Sequence, residues 1–399
     1  MQIEFTEQQI LDIAGITFSR YGELENLGVL GGQSGIALFQ FYCAKYFDND
    51  QFAENGVEII SSCVDLINNG YSYPTYSDGI AGFGWALHHL NKQEFIELDL
   101  DGLLAPFDDY LGAQMELDLS NGNYDFLHGA SGYAFYFLEC FKNNPANNLY
   151  KSLLEKFVLT LSKMAIREEE TIKWISTIDQ KKGIRGYNLS LSHGMSSIIY
   201  ILTKIHTAGI EQKLTFQLIR GACKYILLQE DKTKKNISLF PNWVEPNKPL
   251  NFNSRIAWCY GDIGIGKALE LASKCLDDQR LKKKSLETLL QASVRVEPDT
   301  SFVVDSGICH GSFGNALIFN TLFNTHQNLE FKIARDFWFE DGLKRNTGKK
   351  LKPYKQYNGL TKTWELRINL LEGLAGIGLS QLDFLSNEEN NWNECLMLC

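Results

Sequence analysis

The chain has 399 residues, a formal net charge of −10, 44% hydrophobic residues and 22% charged residues. This ordinary globular composition excludes a disordered or fibrous protein. An acidic chain lacks the clustered positive charge needed to bind nucleic acid or an anionic membrane surface, so we expect neither partner. The nine cysteines are scattered, and neither a signal peptide nor a membrane-spanning apolar run is visible. We therefore expect a cytoplasmic protein with reduced thiols and no membrane insertion.

Glycines recur along the chain as pairs spaced Gly-x-x-Gly, each followed by an apolar segment. The first glycines of the seven pairs are Gly32, Gly79, Gly129, Gly194, Gly261, Gly311 and Gly373. Ser197 replaces the second glycine of the fourth pair. The segments after the pairs are apolar nearly all round and predict buried inner helices. The stretches between them, such as 152–162 and 281–290, have apolar residues at three-to-four spacing and predict amphipathic outer helices.

Seven such units predict an all-α protein. Helical hairpins stack into an open solenoid or close into a ring, and a closed toroid explains why the inner segments are apolar on every side. We expect one domain over residues 1–399, because no linker rich in Pro, Ser or Gly divides the chain. Two longer intervals, between repeats 3 and 4 and between repeats 4 and 5, predict small insertions or short strands at 171–177 and 237–244.

The residues directly before the first glycines form a polar column. They are Gly31, Asp78, His128, His193, Tyr260, His310 and Glu372. One position earlier, Cys259 and Cys309 occupy the same place in consecutive repeats, so we expect them to be neighbours. Two thiolates and the imidazole of His310 are the ligand set of a catalytic zinc site. The alternative is two buried cysteines and a helix-capping histidine; the shared register favours the metal.

The remaining cysteines and histidines are expected to be structural. Helical apolar runs contain Cys43, Cys63, Cys140, Cys223 and Cys275, which we expect to pack. Terminal packing or solvent exposure is expected for Cys395 and Cys399. Helix bodies or loops contain His88, His89, His206 and His326, where a histidine is more often structural than a ligand.

Four motifs resemble the lanthionine synthetase cyclases, the LanC family, across all seven repeats. They are Trp258-Cys259-Tyr260-Gly261, Cys309-His310-Gly311, Ser192-His193-Gly194 and Tyr124-Asp125-Phe126-Leu127 before Gly129. The resemblance implies a double (α/α)7 toroid of seven inner helices within seven outer helices. It implies Zn²⁺ bound by Cys259, Cys309 and His310, and an active site lined by Asp125, His193, Arg255 and Tyr260.

The same resemblance implies a substrate and partners. The substrate would be a ribosomally made precursor peptide with dehydroalanine or dehydrobutyrine residues, and the product would contain thioether rings. A dehydratase and an exporter would join the cyclase in a biosynthetic complex, which would hold it at the inner face of the membrane.

The expected chemistry assigns provisional roles to the active-site residues. His193 is the first candidate for the acid that protonates the enolate formed when sulfur adds to the dehydro residue. Asp125 would orient His193 or transfer a proton, Arg255 would stabilise the enolate or hold Asp125, and Tyr260 would donate a hydrogen bond. The structural alternatives are a helix cap for Asp125, a surface ion pair for Arg255 and a core position for Tyr260.

His128 stands where a carboxylate is expected in some relatives of the family, and it fits a further pore residue or a second proton donor.

Rival functions remain open at this point. A prenyltransferase-like toroid also uses zinc to activate a thiol. Sugar hydrolysis needs two opposed carboxylates, whereas the acids of the column, Asp78 and Glu372, belong to the second and seventh repeats. The main alternative is a non-catalytic LanC-like scaffold that binds a peptide or glutathione.

Overall fold

Helices dominate the computed structural model, which describes residues 2–179, 181–233, 235–346, 354–359, 361–386 and 390–398. Cys399 lies outside the described residues. The α-helices in the described part are α1 (Gln2–Arg20), α2 (Gln33–Phe47), α3 (Asp50–Asn68), α4 (Ile80–Lys92), α5 (Leu100–Ser120), α6 (Ala130–Asn143), α7 (Asn148–Met164), α8 (Met195–Thr207), α9 (Gln212–Leu228), α10 (Asp262–Cys275), α11 (Gln279–Ser293), α12 (Pro298–Ser301), α13 (Ser312–His326), α14 (Leu329–Lys344) and α15 (Leu374–Leu385).

The first glycine of every Gly-x-x-Gly pair is the N-cap residue of a helix. We call the helices that follow the glycine-capped helices: α2, α4, α6, α8, α10, α13 and α15. Most of each is buried on all sides; in α6 every residue from Ala130 to Cys140 is buried. The helix starts predicted from the glycine pairs are therefore confirmed.

Glycine is required at these turns because the preceding loop folds back onto the helix start. A Cβ atom at Gly82 would overlap the backbone carbonyl of Tyr76, and one at Gly314 would overlap that of Ile308. In both cases the carbonyl lies six residues earlier in the chain. The large number of glycines thus reflects close backbone packing rather than flexible loops.

The helices between them are amphipathic and begin differently. In α7 the buried residues include Leu154, Phe157, Val158 and Leu161, at the spacing of one helix face. Where these helices have a side-chain cap, it is Asn or Asp, whose oxygen accepts a hydrogen bond from a backbone N–H of the first turn; the caps are Asn49, Asn147, Asp278 and Asn328. Glycine-capped helices therefore alternate with other helices, four of which begin at an Asn or Asp cap.

The chain divides into two compact units, Met1–Ala105 with Val303–Cys399, and Pro106–Phe302. In the first unit α2 packs on α3, α13 packs on α14, and α15 contacts α1, α2 and α13. In the second unit α6, α8 and α10 pack on α7, α9 and α11, and α8 also contacts α6 and α10. The single domain of seven repeats stays a prediction.

The strands are short and antiparallel. A hairpin joins β1 (Ile166–Glu168) to β2 (Thr171–Lys173), and a three-stranded sheet has the order β3 (Ser176–Asp179), β4 (Ile184–Asn188), β5 (Trp243–Val244). Strands predicted at 171–177 are confirmed, whereas only the last two residues of 237–244 pair. A second hairpin, β6 (Gln356–Asn358) with β7 (Thr363–Glu365), was not expected from the sequence.

Candidate metal centre and acid–base site

Equivalent turns of neighbouring repeats are joined by backbone hydrogen bonds two residues before the first glycine. In the first unit the N–H of Leu371 donates to the carbonyl of Leu30 (2.9 Å), and the N–H of Cys309 donates to the carbonyl of Leu371 (2.9 Å). In the second unit the N–H of Ser192 donates to the carbonyl of Cys259 (3.3 Å). Residues that share this column are therefore neighbours within each unit, as the repeat register predicts.

Cys259, Cys309 and His310 offer the donor types that bind a soft metal ion, two thiols and one imidazole. Cys259 is buried, and Cys309 and His310 are half-buried. Neither cysteine is in a disulfide. Two thiolates and one imidazole leave a fourth tetrahedral position for a substrate, and soft sulfur donors favour zinc over magnesium or calcium.

A buried carboxylate, Asp305, faces His310. Its Oδ2 lies 3.4 Å from Nε2 of His310 and accepts a hydrogen bond from the N–H of Tyr357 (3.2 Å), while Oδ1 accepts one from the N–H of Gly307 (3.1 Å). Burial acts to raise the pKa of Asp305, but His310 and the two N–H groups outweigh it and hold the pKa below its usual value. Asp305 is therefore a charged partner of the imidazole.

Asp125 and His193 form a close ion pair. Nδ1 of His193 lies 2.6 Å from Oδ2 of Asp125, and the other carboxylate oxygen accepts hydrogen bonds from the N–H groups of Leu127 (2.8 Å) and His128 (2.9 Å). Burial opposes both charges. The charge and hydrogen bond of the opposite residue outweigh burial. Asp125, with a further contribution from Cys259, therefore raises the pKa of His193, and His193 lowers the pKa of Asp125. Asp125 thus favours the protonated form of His193.

Aromatic rings from four segments form a row through His193. The ring centroids of His128 and His193 are 6.3 Å apart, those of His193 and Tyr260 are 6.0 Å apart, and those of Tyr260 and Trp243 are 6.1 Å apart. Three of these residues belong to the sequence-predicted column. Trp243 does not belong to this column. From the sequence it was placed in an insertion, and the only signal in the sequence was a Trp within that insertion.

Arg255 is exposed and lines a cavity of about 550 Å³ in the second unit. The hydrogen-bond partners of the Asp125 carboxylate in the described residues are His193 and two backbone N–H groups. Arg255 is not among them, so the suggestion that it holds Asp125 gains no support.

Asp305 lies six residues before its glycine, as Arg255 does; extending the repeat alignment to that position would have singled out Asp305.

A buried ion pair anchors the loop that leads to Cys259. Asp262, the first residue of α10, accepts hydrogen bonds from the N–H groups of Leu239 (3.0 Å) and Phe240 (2.9 Å) and pairs with Arg295 at 3.1 Å. Arg295 also donates to the carbonyl of Ser254. Sequence reasoning missed both charged residues, because no local pattern shows that they pair.

The other polar and sulfur residues behave as structural groups. Glu372 pairs with Arg367. The cysteines expected to pack are buried, apart from the half-buried Cys275; Cys395 is also buried. His88, His89, His206 and His326 all lie within helices.

Comparison with known proteins gives a consistent result. The family model for lanthionine synthetase C-like proteins matches residues 25–397. Nisin biosynthesis protein NisC of Lactococcus lactis subsp. lactis is 24% identical over 372 residues, which cover 86% of this chain and 82% of NisC. A solved nisin cyclase matches with a TM-score of 0.77 at 19% identity, covering 98% of this chain and 97% of that one. A sugar epimerase from a ruminal bacterium matches with a TM-score of 0.50 at 10% identity, covering 98% and 100%.

The likeness to the nisin cyclase shows that the two chains share a fold, and it confirms the predicted α/α-toroid class. Within the described residues, no helix combines the length and apolar character needed to cross a bilayer. The family match extends over nearly the whole sequence and includes every candidate site residue. The chain therefore belongs to the lanthionine synthetase C-like family.

Proposed function

We propose that this chain is a zinc-dependent peptide cyclase of lantibiotic biosynthesis. It adds cysteine thiols of a dehydrated precursor peptide to dehydroalanine or dehydrobutyrine residues and forms (methyl)lanthionine thioether rings. The observation that carries the proposal is the group of two thiols and one imidazole at Cys259, Cys309 and His310. Membership of the family and the similarity to NisC support the same reaction.

Cys259, Cys309 and His310 would bind the zinc ion. When bound, zinc would lower the pKa of a substrate thiol, which is otherwise about 8.5, and keep the sulfur nucleophilic at neutral pH. Asp305 faces Nε2 of His310, so we assign Nδ1 as the metal-binding atom. Asp305 is then a positioning residue, because a carboxylate behind a ligating imidazole fixes the ring and raises its basicity.

His193 would supply the proton that completes the addition. The substrate sulfur forms a bond to the β-carbon, and the π electrons of the double bond move toward the adjacent carbonyl as an enolate. His193 then gives its Nε2 proton to the α-carbon, while Nδ1–H stays bonded to Asp125. The proton lost by the thiol restores the imidazolium through solvent, so the product is an isomer of the substrate.

Tyr260 and Arg255 would assist the enolate. The Tyr260 ring lies beside His193, and its hydroxyl would donate to the developing oxyanion. Arg255 is exposed in a cavity of the same unit, where its guanidinium would bind a carbonyl of the substrate. His128, whose ring stacks on His193, would be the second proton carrier.

The partners follow from the reaction. A dehydratase must supply the unsaturated peptide, and an exporter must remove the product. We propose that the cyclase works with both in the cytoplasm, at the inner face of the membrane.

A non-catalytic scaffold that binds a peptide or glutathione is the alternative, since the same three ligands would hold zinc in either protein. The relation to a sugar epimerase concerns the fold alone.

Turnover separates the two functions. The purified protein is incubated with a dehydrated, cysteine-containing precursor peptide, and free thiols and mass are followed over time. We expect thiols to disappear without a change in mass, faster than in buffer, and about one zinc per chain. Cys309→Ala should abolish the acceleration and lower the zinc content.

Cys275→Ala is the matched control, because Cys275 is also half-buried but lies at the end of α10, away from the column. It should retain zinc and activity. A wild-type rate equal to the buffer rate with the cognate peptide would reject the cyclase, and full activity of the Cys309 variant would reject the ligand assignment.

A further inference from the structure

The insertion between the fourth and fifth repeats presents an indole beside the acid–base residues. Trp243 is 41% exposed, and its ring meets that of Tyr260 edge-on, with 6.1 Å between the ring centroids. Tyr260 directly follows Cys259 in the chain and lies beside His193. Burying this ring against a bound molecule would gain free energy, because a large aromatic side chain is more stable out of water.

Trp243 is held in place rather than mobile. It belongs to β5 and pairs with Asn188 of β4 in an antiparallel register. The chain just before it is fixed by the buried Asp262, which accepts hydrogen bonds from the N–H groups of Leu239 and Phe240. The segment therefore presents a preorganised ring, which binds a partner at a lower entropic cost than a flexible loop would.

A cavity of about 550 Å³ lies next to this segment in the same unit. It is lined by Ile237, Asn242, Asn253, Arg255, Asp299 and Phe302. The side-chain oxygen of Asn242, the neighbour of Trp243, is buried without a hydrogen-bond partner in the described residues. Arg255 contributes hydrogen-bond donors, and Ile237 and Phe302 contribute apolar surface. The lining thus offers amide and carboxylate acceptors at Asn242, Asn253 and Asp299, a cationic donor at Arg255, and an apolar wall.

We propose that Trp243 and this adjacent pocket together bind the stretch of precursor peptide that flanks the reacting dehydro residue; this rests on the proposed function. An extended peptide presents alternating N–H and C=O groups, which match the acceptor of Asn242 and the donors of Arg255. The indole packs on an apolar side chain or on the flat face of a dehydro residue. The insertion thereby selects substrate, while the repeats supply the chemistry.

The test compares Trp243→Ala with the wild-type protein on a dehydrated precursor peptide. Loss of a central aromatic anchor should raise KM at least about tenfold, with the loss in KM rather than in kcat and with unchanged zinc content. Trp243→Phe should recover most of the affinity. Phe337→Ala is the matched control, because Phe337 has a similar exposure of 39% but lies on α14; its KM should equal that of the wild type.

A binding measurement uses a dehydrated peptide whose cysteines have been alkylated, so that no ring forms. Its affinity for the wild type, measured by calorimetry, should fall at least about tenfold in Trp243→Ala and Asn242→Ala. If the wild type cyclises its peptide but Trp243→Ala matches Phe337→Ala in KM and affinity, the pocket does not bind peptide. If the two substitutions weaken the binding of glutathione but leave the binding of the peptide unchanged, the inference is also wrong. A wild type without turnover would instead reject the proposed function.

Discussion

At the scale of single residues, His193, the proposed acid, and Asp125 are the most sharply defined pair. Asp125 keeps one oxygen for His193 and the other for two backbone N–H groups, so its position does not depend on the imidazole. His193 must be protonated to act as an acid. Because its pKa is raised, activity should be retained below that pKa and lost as pH rises through it.

Asp125→Asn removes the charge that opposes desolvation of His193, so the pKa of His193 should fall. We expect the alkaline limb of the pH–rate profile to move to lower pH, and the rate above the new limb to drop by up to roughly 10²–10⁴-fold, the range that a general acid contributes. Steady-state rates measured across pH test this. Asp109 is an exposed acid of the same unit, and Asp109→Asn should leave the alkaline limb in place. If the limb does not move in Asp125→Asn, Asp125 does not set the pKa of the group that acts as the acid.

At the scale of helices, the turn before each glycine-capped helix explains why column residues converge. The same fold-back that requires glycine places residues one and two positions earlier beside the next turn, where backbone hydrogen bonds join them. Ser197 occupies the second glycine position of the fourth repeat, is fully buried and donates to the carbonyl of Gly194 (2.7 Å). That turn therefore has room for a Cβ atom.

Gly82→Ala tests the close approach. Its Cβ would overlap the carbonyl of Tyr76, so the turn must shift, and we expect a loss of about 1–3 kcal/mol in the free energy of unfolding. Gly15→Ala is the control: Gly15 lies in the exposed part of α1 with nothing near an added Cβ. It should gain about 0.5–1 kcal/mol. Denaturant titration measures the free energy of unfolding of both variants. If Gly82→Ala is as stable as Gly15→Ala, the steric explanation is excluded.

At the scale of the whole molecule, the apolar cores of the two units account for the fold, and the proposed metal ligands are expected to contribute little to its stability. Side chains such as Phe137, Leu202 and Phe319 are fully buried, each worth about 1.5–3 kcal/mol. The three proposed ligand residues lie in turns and bends before the helices rather than in the helices themselves. A bound zinc ion would therefore serve reactivity more than stability.

Removing zinc with a chelator should abolish cyclisation while the helical circular dichroism signal stays within a few per cent of its starting value. Adding zinc back should restore the rate. Magnesium, a hard ion that prefers oxygen ligands, should not restore it. Loss of the helical signal on chelation would show instead that the metal is structural.

The sequence by itself determined the helix starts, the repeat register and the metal ligands that we propose. These depend on local rules: a glycine where backbones approach, and equal positions in equal turns. Even the placement of Cys259 and Cys309 in one column needed no coordinates. The short strands near 171–177 followed from local β propensity in the same way.

Only the tertiary structure decided which side chains meet. His193 and Asp125 are 68 residues apart in the sequence, and no sequence periodicity predicts that they meet. In the structure, Nδ1 of His193 lies 2.6 Å from Oδ2 of Asp125. The position of Trp243 depends on a sheet register and on the buried anchor at Asp262, both formed by segments distant in sequence. Contacts of this kind depend on the path of loops between distant segments, which no local sequence pattern specifies. The repeats therefore predict the helical scaffold, whereas the contacts made by the insertions appear only in the folded chain.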